Sequence, residues 1–303
     1  MANSITLFKQ QITGILDEVY KAASLTAVLD GASELVQQGA NANELIIPKM
    51  SMDGLGDYSK SAGYVNGDVT LTNETVACNF DRGRMFTIDS MDNIETAGVA
   101  FGRLAGEFIR TKVVPEVDAF RFACYAGASN ISTTTAANLA TGAAVIAAIA
   151  AAADGMDNDE VPQSERYLFI TPTLLGLVRD LDTTKSKAVL DQFAGVIKVP
   201  QTRFYTAIDQ LDGTTSQEEA GGYAKASGAK NINFMIIHKP AVIQFEKHVV
   251  PKIVSPEQNQ SADAWKFGYR NVAIADVYDN KVKGIYLHMQ NPKKNKGGRD
   301  LCR

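Results

Sequence analysis

Apolar positions recur at helical or strand spacing over most of the chain, and one long interval breaks the pattern. Through residues 5–40, Leu7, Ile12, Ile15, Leu16 and Val19 form a loose stripe, and Val28, Leu29, Ala32 and Leu35 form a second. Gly31, Gly39 and the polar run at residues 40–44 interrupt them, which predicts an arm laid over a surface, not an independent domain. Glu44–Lys49 (ELIIPK) is a short strand candidate. From Lys49 to Arg84 large apolar residues become scarce, and five glycines follow Met50: Gly54, Gly56, Gly63, Gly67 and Gly83. Within this interval Tyr64–Thr72 and Thr75–Phe80 have strand-like composition. A structureless excursion of this length is uncommon in a compact domain. Folded back as a hairpin, two arms of about 18 residues would each reach roughly 60 Å at ~3.3 Å per residue. A compact domain of this size has a radius of gyration of about 19 Å. The segment is too poor in apolar residues for its own core and too long to pack wholly on its own domain. It is predicted to lie on another copy of the chain.

Periodicity resumes behind it. Asp92 and Glu95 have the spacing of an N-cap and its N3 carboxylate, and Ile94, Ala97, Phe101, Leu104, Ala105 and Phe108 follow as one helical stripe. Gly98, Gly102 and Gly106 repeat at every fourth position. Each costs roughly 0.5–1 kcal/mol against alanine in a helix, so close packing on that face is expected. Pro115 kinks or restarts the helix, and Glu116–Tyr125 carries it on to Gly127. After the low-complexity run 129–144, Ala143–Ala153 predicts an alanine-rich helix ending in the acidic turn Asp154–Glu160. Arg166–Ile170 reads as a buried strand, Thr171-Pro172 as the start of a helix over Thr173–Leu181, and Ile232–Ile237 as a further strand. Gln210–Lys230, rich in Gly, Ser and Thr, reads as a surface loop. From Ala241 the period becomes two, and Asp279-Asn280 predicts a tight hairpin turn between the last two strands.

Composition narrows the function classes. With 303 residues, 45% of them hydrophobic, the chain can bury a substantial core as one large domain or two intimate ones. A net charge of −4 gives the body no basis for specific nucleic-acid binding. The tail Pro292–Arg303 is basic, which suits a solvated tail or contact with a polyanion. Cys78, Cys124 and Cys302 are odd in number and far apart, which excludes a disulfide framework and fits a reducing compartment. The N-terminus has no secretory pattern, and the longest apolar run, Ala143–Ala153, is too short to span a bilayer; a cytoplasmic place of synthesis and no membrane partner are expected.

Chemistry is sparse. The chain contains no phosphate-binding loop, no dinucleotide fingerprint, no HExxH and no GxSxG. His238, His248 and His288 fall in strands or at their ends and read as structural. The acidic run from Asp154 has Glu165 at its twelfth position, as a calcium loop would, but Met156 and Asp159 occupy places that need an oxygen ligand and a glycine. Asp89 and Asp92 bracket a strand-to-helix junction, and capping accounts for Asp92. Trp265 reads as a core or interface anchor. No catalytic, metal or cofactor-binding residue emerges, and no enzyme is expected.

In order of elements, and in the runs Asp57–Val69 (DYSKSAGYVNGDV), Asp81–Thr96 (DRGRMFTIDSMDNIET), Arg110–Arg121 (RTKVVPEVDAFR), His238–Glu257 and Asp263–Tyr286, the chain resembles the major capsid proteins of tailed bacteriophages. The resemblance implies an α+β HK97-like capsid fold. Its parts would be an N-terminal arm (1–43), an E-loop (44–90), a peripheral domain with a spine helix (91–135), an axial domain (136–240), returning peripheral strands (241–291) and a basic tail (292–303). It implies a virion protein, assembled in the host bacterial cytoplasm as hexamers and pentamers of itself. A separate scaffolding protein, a portal protein, a decoration protein and non-specifically contacted packaged DNA are the implied partners, with no cofactor. Asp57, Tyr58, Lys60, Tyr64, Arg82 and Arg84 become candidate intersubunit contacts, and Asp92, Glu95, Pro115 and Trp265 structural positions. Some relatives crosslink through a lysine–asparagine bond, for which Lys60 would be the donor; no catalytic glutamate or acceptor is visible, so noncovalent burial is expected. An encapsulin-like compartment shell and an oligomeric enzyme with a lid loop are the alternatives.

Overall fold

A computed structural model describes residues 24–31, 37–38, 44–61, 63–91, 99–181 and 183–291. The polar excursion does fold back on itself. Strand β2 (Glu44–Met52) pairs antiparallel with β3 (Val69–Ala77) without a break, from Glu44↔Ala77 to Met52↔Val69, and β1 (Gln37–Gln38) lines the outer edge of β2.

The next strand, β4 (Phe80–Asp89), leaves the arm. It pairs along its whole length with β12 (Ala264–Val277), in a sheet of order β11-β12-β4 with β11 (Val242–Val254). Within the span 44–90 expected for the E-loop, the β2–β3 arm ends at Ala77 and β4 belongs to the three-stranded sheet. The reason lies in the alternation within β4, whose Phe80, Arg82, Phe86 and Ile88 share the inward face while the intervening residues are exposed. Glycine content masked that period. Gly83 serves close strand approach, since a Cβ there would lie 2.8 Å from the Tyr269 carbonyl oxygen.

Residues 92–98 lie outside the described residues, and with them the expected cap by Asp92 and Glu95. Helix α1 (Val99–Phe108), a π-helical stretch Ile109–Val113 and α2 (Val114–Gly127) follow as one run. Pro115 sits in the first turn of α2. It has no N–H for the preceding turn and its ring crowds that turn's carbonyls, which the wider π-turn accommodates. The run packs on the three-stranded sheet through Ile109, Val113, Val117, Phe267 and Tyr269, with Phe80 against Phe120 and Phe86 against Phe108 at 5.0 and 4.8 Å between ring centroids.

The second layer is a mixed sheet of order β5-β13-β10-β6-β7, made by β5 (Ser132–Thr133), β6 (Arg166–Ile170), β7 (Gly195–Lys198), β10 (Ile232–His238) and β13 (Ile285–Met289). All seven residues of β10 are buried because both faces are covered. Leu168, Ile170, Phe234 and Ile236 face α3 (Gly142–Asn158) and α4 (Pro172–Leu181). Phe169, Met235, Ile237 and Leu287 face Phe122 and Tyr125 of α2 and Val277 of β12, so the two sheets share one body. Thr141 caps α3, accepting the Ala144 N–H at 3.3 Å. Helix α5 (Thr184–Asp191) starts with a capping box of Thr183 and Ser186.

Two expectations change here. The final strands do not form a hairpin: Asp279–Gly284 is a 3₁₀ helix, and β13 crosses to the five-stranded sheet, pairing with β10 and, in parallel, with β5. The antiparallel partner of β12 is β11. Four of the five β13 residues are buried, a pattern suited to a strand covered on both faces. The expected peripheral segment 241–291 thus lends its last strand to the sheet that contains β6 and β10. The expected loop Gln210–Lys230 contains most of a small hairpin, β8 (Ile208–Leu211) with β9 (Gly222–Lys225), whose weakly apolar strands carry little pattern.

Candidate intersubunit surface

Short polar contacts order the hairpin tip. The Asp53 N–H donates to the Asp68 carbonyl at 3.2 Å, and the Asp68 N–H donates to Asp53 Oδ2 at 2.8 Å. Farther out, Ser59 and Gly63 exchange backbone hydrogen bonds of 3.2 and 2.7 Å across a turn that needs Gly63 at φ +81°. This turn sets Tyr58 and Tyr64 side by side, with ring centroids 4.9 Å apart. From Met52 to Thr72 every described residue is exposed except Gly63, which is half-buried. Met52, Leu55, Tyr58, Tyr64, Val65, Val69 and Leu71 stand among them as large apolar groups in solvent. Isolated exposed apolar residues are ordinary, but a run of them along one projecting arm makes this a candidate interaction surface.

Of the candidate contacts, Asp57, Tyr58, Lys60 and Tyr64 come together at this tip, all exposed. Arg82 and Arg84 do not: they lie on β4, at the root of the arm, and their donors are directed within the chain. Arg82 Nε meets Glu116 Oε1 at 2.8 Å, and its Nη2 donates to the carbonyls of Leu211 (2.7 Å) and Gly222 (3.1 Å). Arg84 Nη2 donates to the Glu219 carbonyl at 3.0 Å, with Gly213 and Gly221 close about its guanidinium. Two positions apart on β4, Arg82 and Arg84 share one face of the strand, and the β8–β9 loop reaches both, with Arg82 half-buried and Arg84 exposed. Trp265 lies opposite Ile88 and is half-buried. Met52, Leu55, Val65, Val69 and Leu71 are not among the candidate contacts; their only signal in the sequence is a lone apolar residue such as Leu55 or Val65 inside a glycine-rich polar run.

Beside β4, a cleft of about 930 Å³ opens between that strand, the helical run and the β8–β9 hairpin. Burial pushes the Glu116 carboxyl in it above its ordinary range, while the Arg82 guanidinium pulls the other way. Burial pushes the Cys124 thiol up to about 12, too high for a nucleophile at neutral pH. His238 and His288 are held below the usual histidine range, again by burial. Asp157 and Asp159 of the acidic turn contact Arg166 (2.7 Å) and Lys283 (3.7 Å). Among the described residues no group of three or more His, Cys, Asp or Glu side chains is placed to hold a metal ion, and no helix is long and apolar enough to cross a membrane.

No protein-family model matches the sequence, and no curated protein matches it either. Solved structures match at the level of the fold. The capsid of Ralstonia phage GP4 superposes with a TM-score of 0.55 at 11% identity, over 91% of this chain and 90% of that one. The capsid structure of Staphylococcus phage Andhra gives 0.54 at 12% identity, over 87% and 83%. The capsid structure of cyanophage P-SCSP1u gives 0.53 at 12%, over 84% and 85%. The fold is the HK97-like capsid fold. The α+β expectation is met. Coverage above four-fifths of both chains means that the HK97-like fold accounts for both sheets and the long helical run together, not for one layer alone.

Proposed function

We propose that this chain is the major capsid protein of a tailed phage, a structural subunit that closes into an icosahedral head around double-stranded DNA. The observation that carries the reading is the projecting β2–β3 hairpin. It is ordered by its own ladder and lined with exposed apolar side chains, and it stands on a body with a capsid fold. Many such arms, each burying modest area on a neighbour, sum through closed symmetry. In this reading the arm is the E-loop, the run from Val99 is the spine helix, the five-stranded sheet belongs to the axial domain, and β4, β11 and β12 form the peripheral sheet. Copies of the chain are the first partners, in hexamers and pentamers. A separate scaffolding protein, a portal, a decoration protein and packaged DNA are the further ones. The protein resides in the virion, having assembled in the host cytoplasm. Its role is structural, and the shell is held noncovalently, with Asp57, Tyr58, Lys60 and Tyr64 as the contacts at the tip of the arm.

Replacing Asp53–Asp68 with an Asn-Gly turn tests this. The shortened hairpin should leave a folded subunit, with circular dichroism and unfolding midpoint unchanged, that no longer forms particles under negative stain. Particles forming as before would contradict the proposal, and so would collapse of the subunit fold.

A further inference from the structure

We infer that the cleft beside β4 is the seat of the hairpin tip of a second copy, through recognition of an acidic, aromatic segment by unpaired cations. The inference rests on the hairpin being an intersubunit arm and adds where that arm lands.

Three cations of the cleft are left without a carboxylate partner among the described residues once its ion pairs are assigned. Its carboxylates are all engaged: Asp81 with Arg270 (2.5 and 2.8 Å), Glu107 with Arg110 (2.8 Å), Glu116 with Arg82 (2.8 Å), and Asp212 with the Thr214 and Thr215 N–H groups (2.7 and 2.8 Å). Arg84, Lys112 and Lys225 line the same cleft with no carboxylate partner among the described residues; Lys225 reaches only the Asn231 amide oxygen and the Tyr205 ring. These three side chains are exposed along the cleft and offer charge to an incoming carboxylate. A second feature points to a polar ligand. Asn271, only 1% exposed, lines the cleft, and neither its Nδ2 nor its Oδ1 has a hydrogen-bond partner. A buried amide with both ends open is costly unless something supplies a donor and an acceptor.

The tip has the complementary chemistry. Asp53, Asp57 and Asp68 outnumber Lys60, the Asp57 carboxylate has no partner among the described residues, and Tyr58 and Tyr64 present aromatic surface suited to Tyr205 and Tyr223 of the cleft. A chain's own tip cannot occupy its own cleft. The nine paired residues of β2 and β3 hold the tip ~30 Å from Ala77 at ~3.3 Å per residue, whereas Arg82 and Arg84 follow Ala77 within a few positions. A second copy has no such constraint.

Zero-length carbodiimide coupling of assembled particles, made from a mixture of light and ¹⁵N-labelled full-length chains, tests the seat. Mixed-isotope peptides should join Asp57 to Lys112 or Lys225, and Asp57→Asn should abolish them. Particles whose tip carboxylates couple to lysines elsewhere on a neighbour would overturn the seat while leaving the arm intersubunit. Intact particles with no intersubunit coupling from residues 53–68, or no particles at all, would overturn both. Independently, Lys112→Glu should lower particle yield about tenfold through like-charge contact, and Asp57→Lys in the same chain should restore it. Loss without rescue would mean that the cleft takes the acidic segment of a different protein, and would overturn the inference.

Discussion

The Asp118 carboxylate on α2 and the Thr26 hydroxyl, both fully buried, lie 2.8 Å apart and join the N-terminal segment to the body of the fold. Thr26 Oγ1 donates to Asp118 and accepts from Arg121 Nη1 at 2.8 Å, so one hydroxyl bridges opposite charges. Asp118 also accepts from Ser24 Oγ (3.0 Å), the N–H groups of Leu25 (3.1 Å) and Thr26 (3.3 Å), and Arg203 (3.2 Å). The Gln244 side chain donates to the Thr26 carbonyl at 2.8 Å and accepts from the Tyr125 hydroxyl at 2.8 Å. Three parts distant in sequence thus converge on one carboxylate, and Leu29 is fully buried behind it.

Removing that carboxylate leaves Arg203 without its anion and several donors without an acceptor, while Arg121 keeps Glu246 at 3.1 Å. Asp118→Ala should cost about 3–5 kcal/mol, the usual penalty for breaking one side of a buried charged network. Thr26→Val, which keeps the shape and removes only the bridging hydroxyl, should cost about 1–3 kcal/mol. Urea unfolding of the tip-shortened subunit measures both without interference from assembly. Near-neutral effects would mean that this network contributes little to holding residues 24–31.

Two helical glycines should respond with opposite signs. The spacing of Gly98, Gly102 and Gly106 suggested close packing, yet a Cβ on Gly106 would meet nothing within 4 Å, so within one chain that reading does not hold there. Gly106→Ala should stabilise the isolated subunit by about 0.5–1 kcal/mol through backbone entropy. Gly142 is the reverse: a Cβ there would fall 2.1 Å from the Leu177 carbonyl oxygen, where α3 meets α4. Gly142→Ala should destabilise by about 1–3 kcal/mol, as overpacking does. Thermal unfolding of the two variants side by side reads the contrast directly.

These contrasts show what local pattern can carry. The strand Arg166–Ile170, the alanine-rich helix and the Pro172 helix start were legible because capping and periodicity are properties of neighbouring residues. The hairpin was legible as an excursion too polar to bury itself. Partners were not. Nothing within Phe80–Asp89 announces Ala264–Val277 as its neighbour, and the Ile285–Met289 run looks the same whether it pairs with the strand before it or crosses to β10. The cleft is drawn from β4, the helical run and residues 202–225, and Asp118 meets Thr26 across 92 positions. Such convergence leaves no spacing to read.

Buried histidines set an acid limit. His288 stacks on Phe234 at 4.9 Å, and its Nδ1 lies 3.1 Å from Asn233 Nδ2, whose N–H it accepts, so the ring is neutral. Burial lowers its pKa below 6.5. Below about pH 6.5 the unfolded chain takes up this proton and the folded chain does not, so stability falls with pH by at most about 1.4 kcal/mol per unit, down to the folded value. Above that window the group contributes no slope. His238, lowered by burial against the opposing pull of Glu165, acts in the same direction. Urea midpoints at several values between pH 7 and 5 should decline for the wild type and less steeply for His288→Gln. Equal slopes would show that His288 protonates freely in the folded state.

Arg82 ties the root of the arm to the β8–β9 hairpin, and its loss should be felt there first. Arg82→Ala removes one ionic contact to Glu116 and two bonds to the carbonyls of Leu211 and Gly222, at about 1.5–3 kcal/mol for charge-assisted bonds of this kind. Because Arg82 supplies the attractions that oppose the burial of Glu116, that carboxyl should titrate still higher in the variant. Lysine cannot substitute, since a single ammonium does not reproduce the planar fork that reaches a carboxylate and two carbonyls together. Amide exchange should therefore quicken across residues 208–225 in both Arg82→Ala and Arg82→Lys, while β10, buried on both faces, keeps its protection. Uniform loss of protection would point to a global effect, and unchanged exchange at 208–225 would mean that Arg84 and the Asp212 turn hold the loop without it.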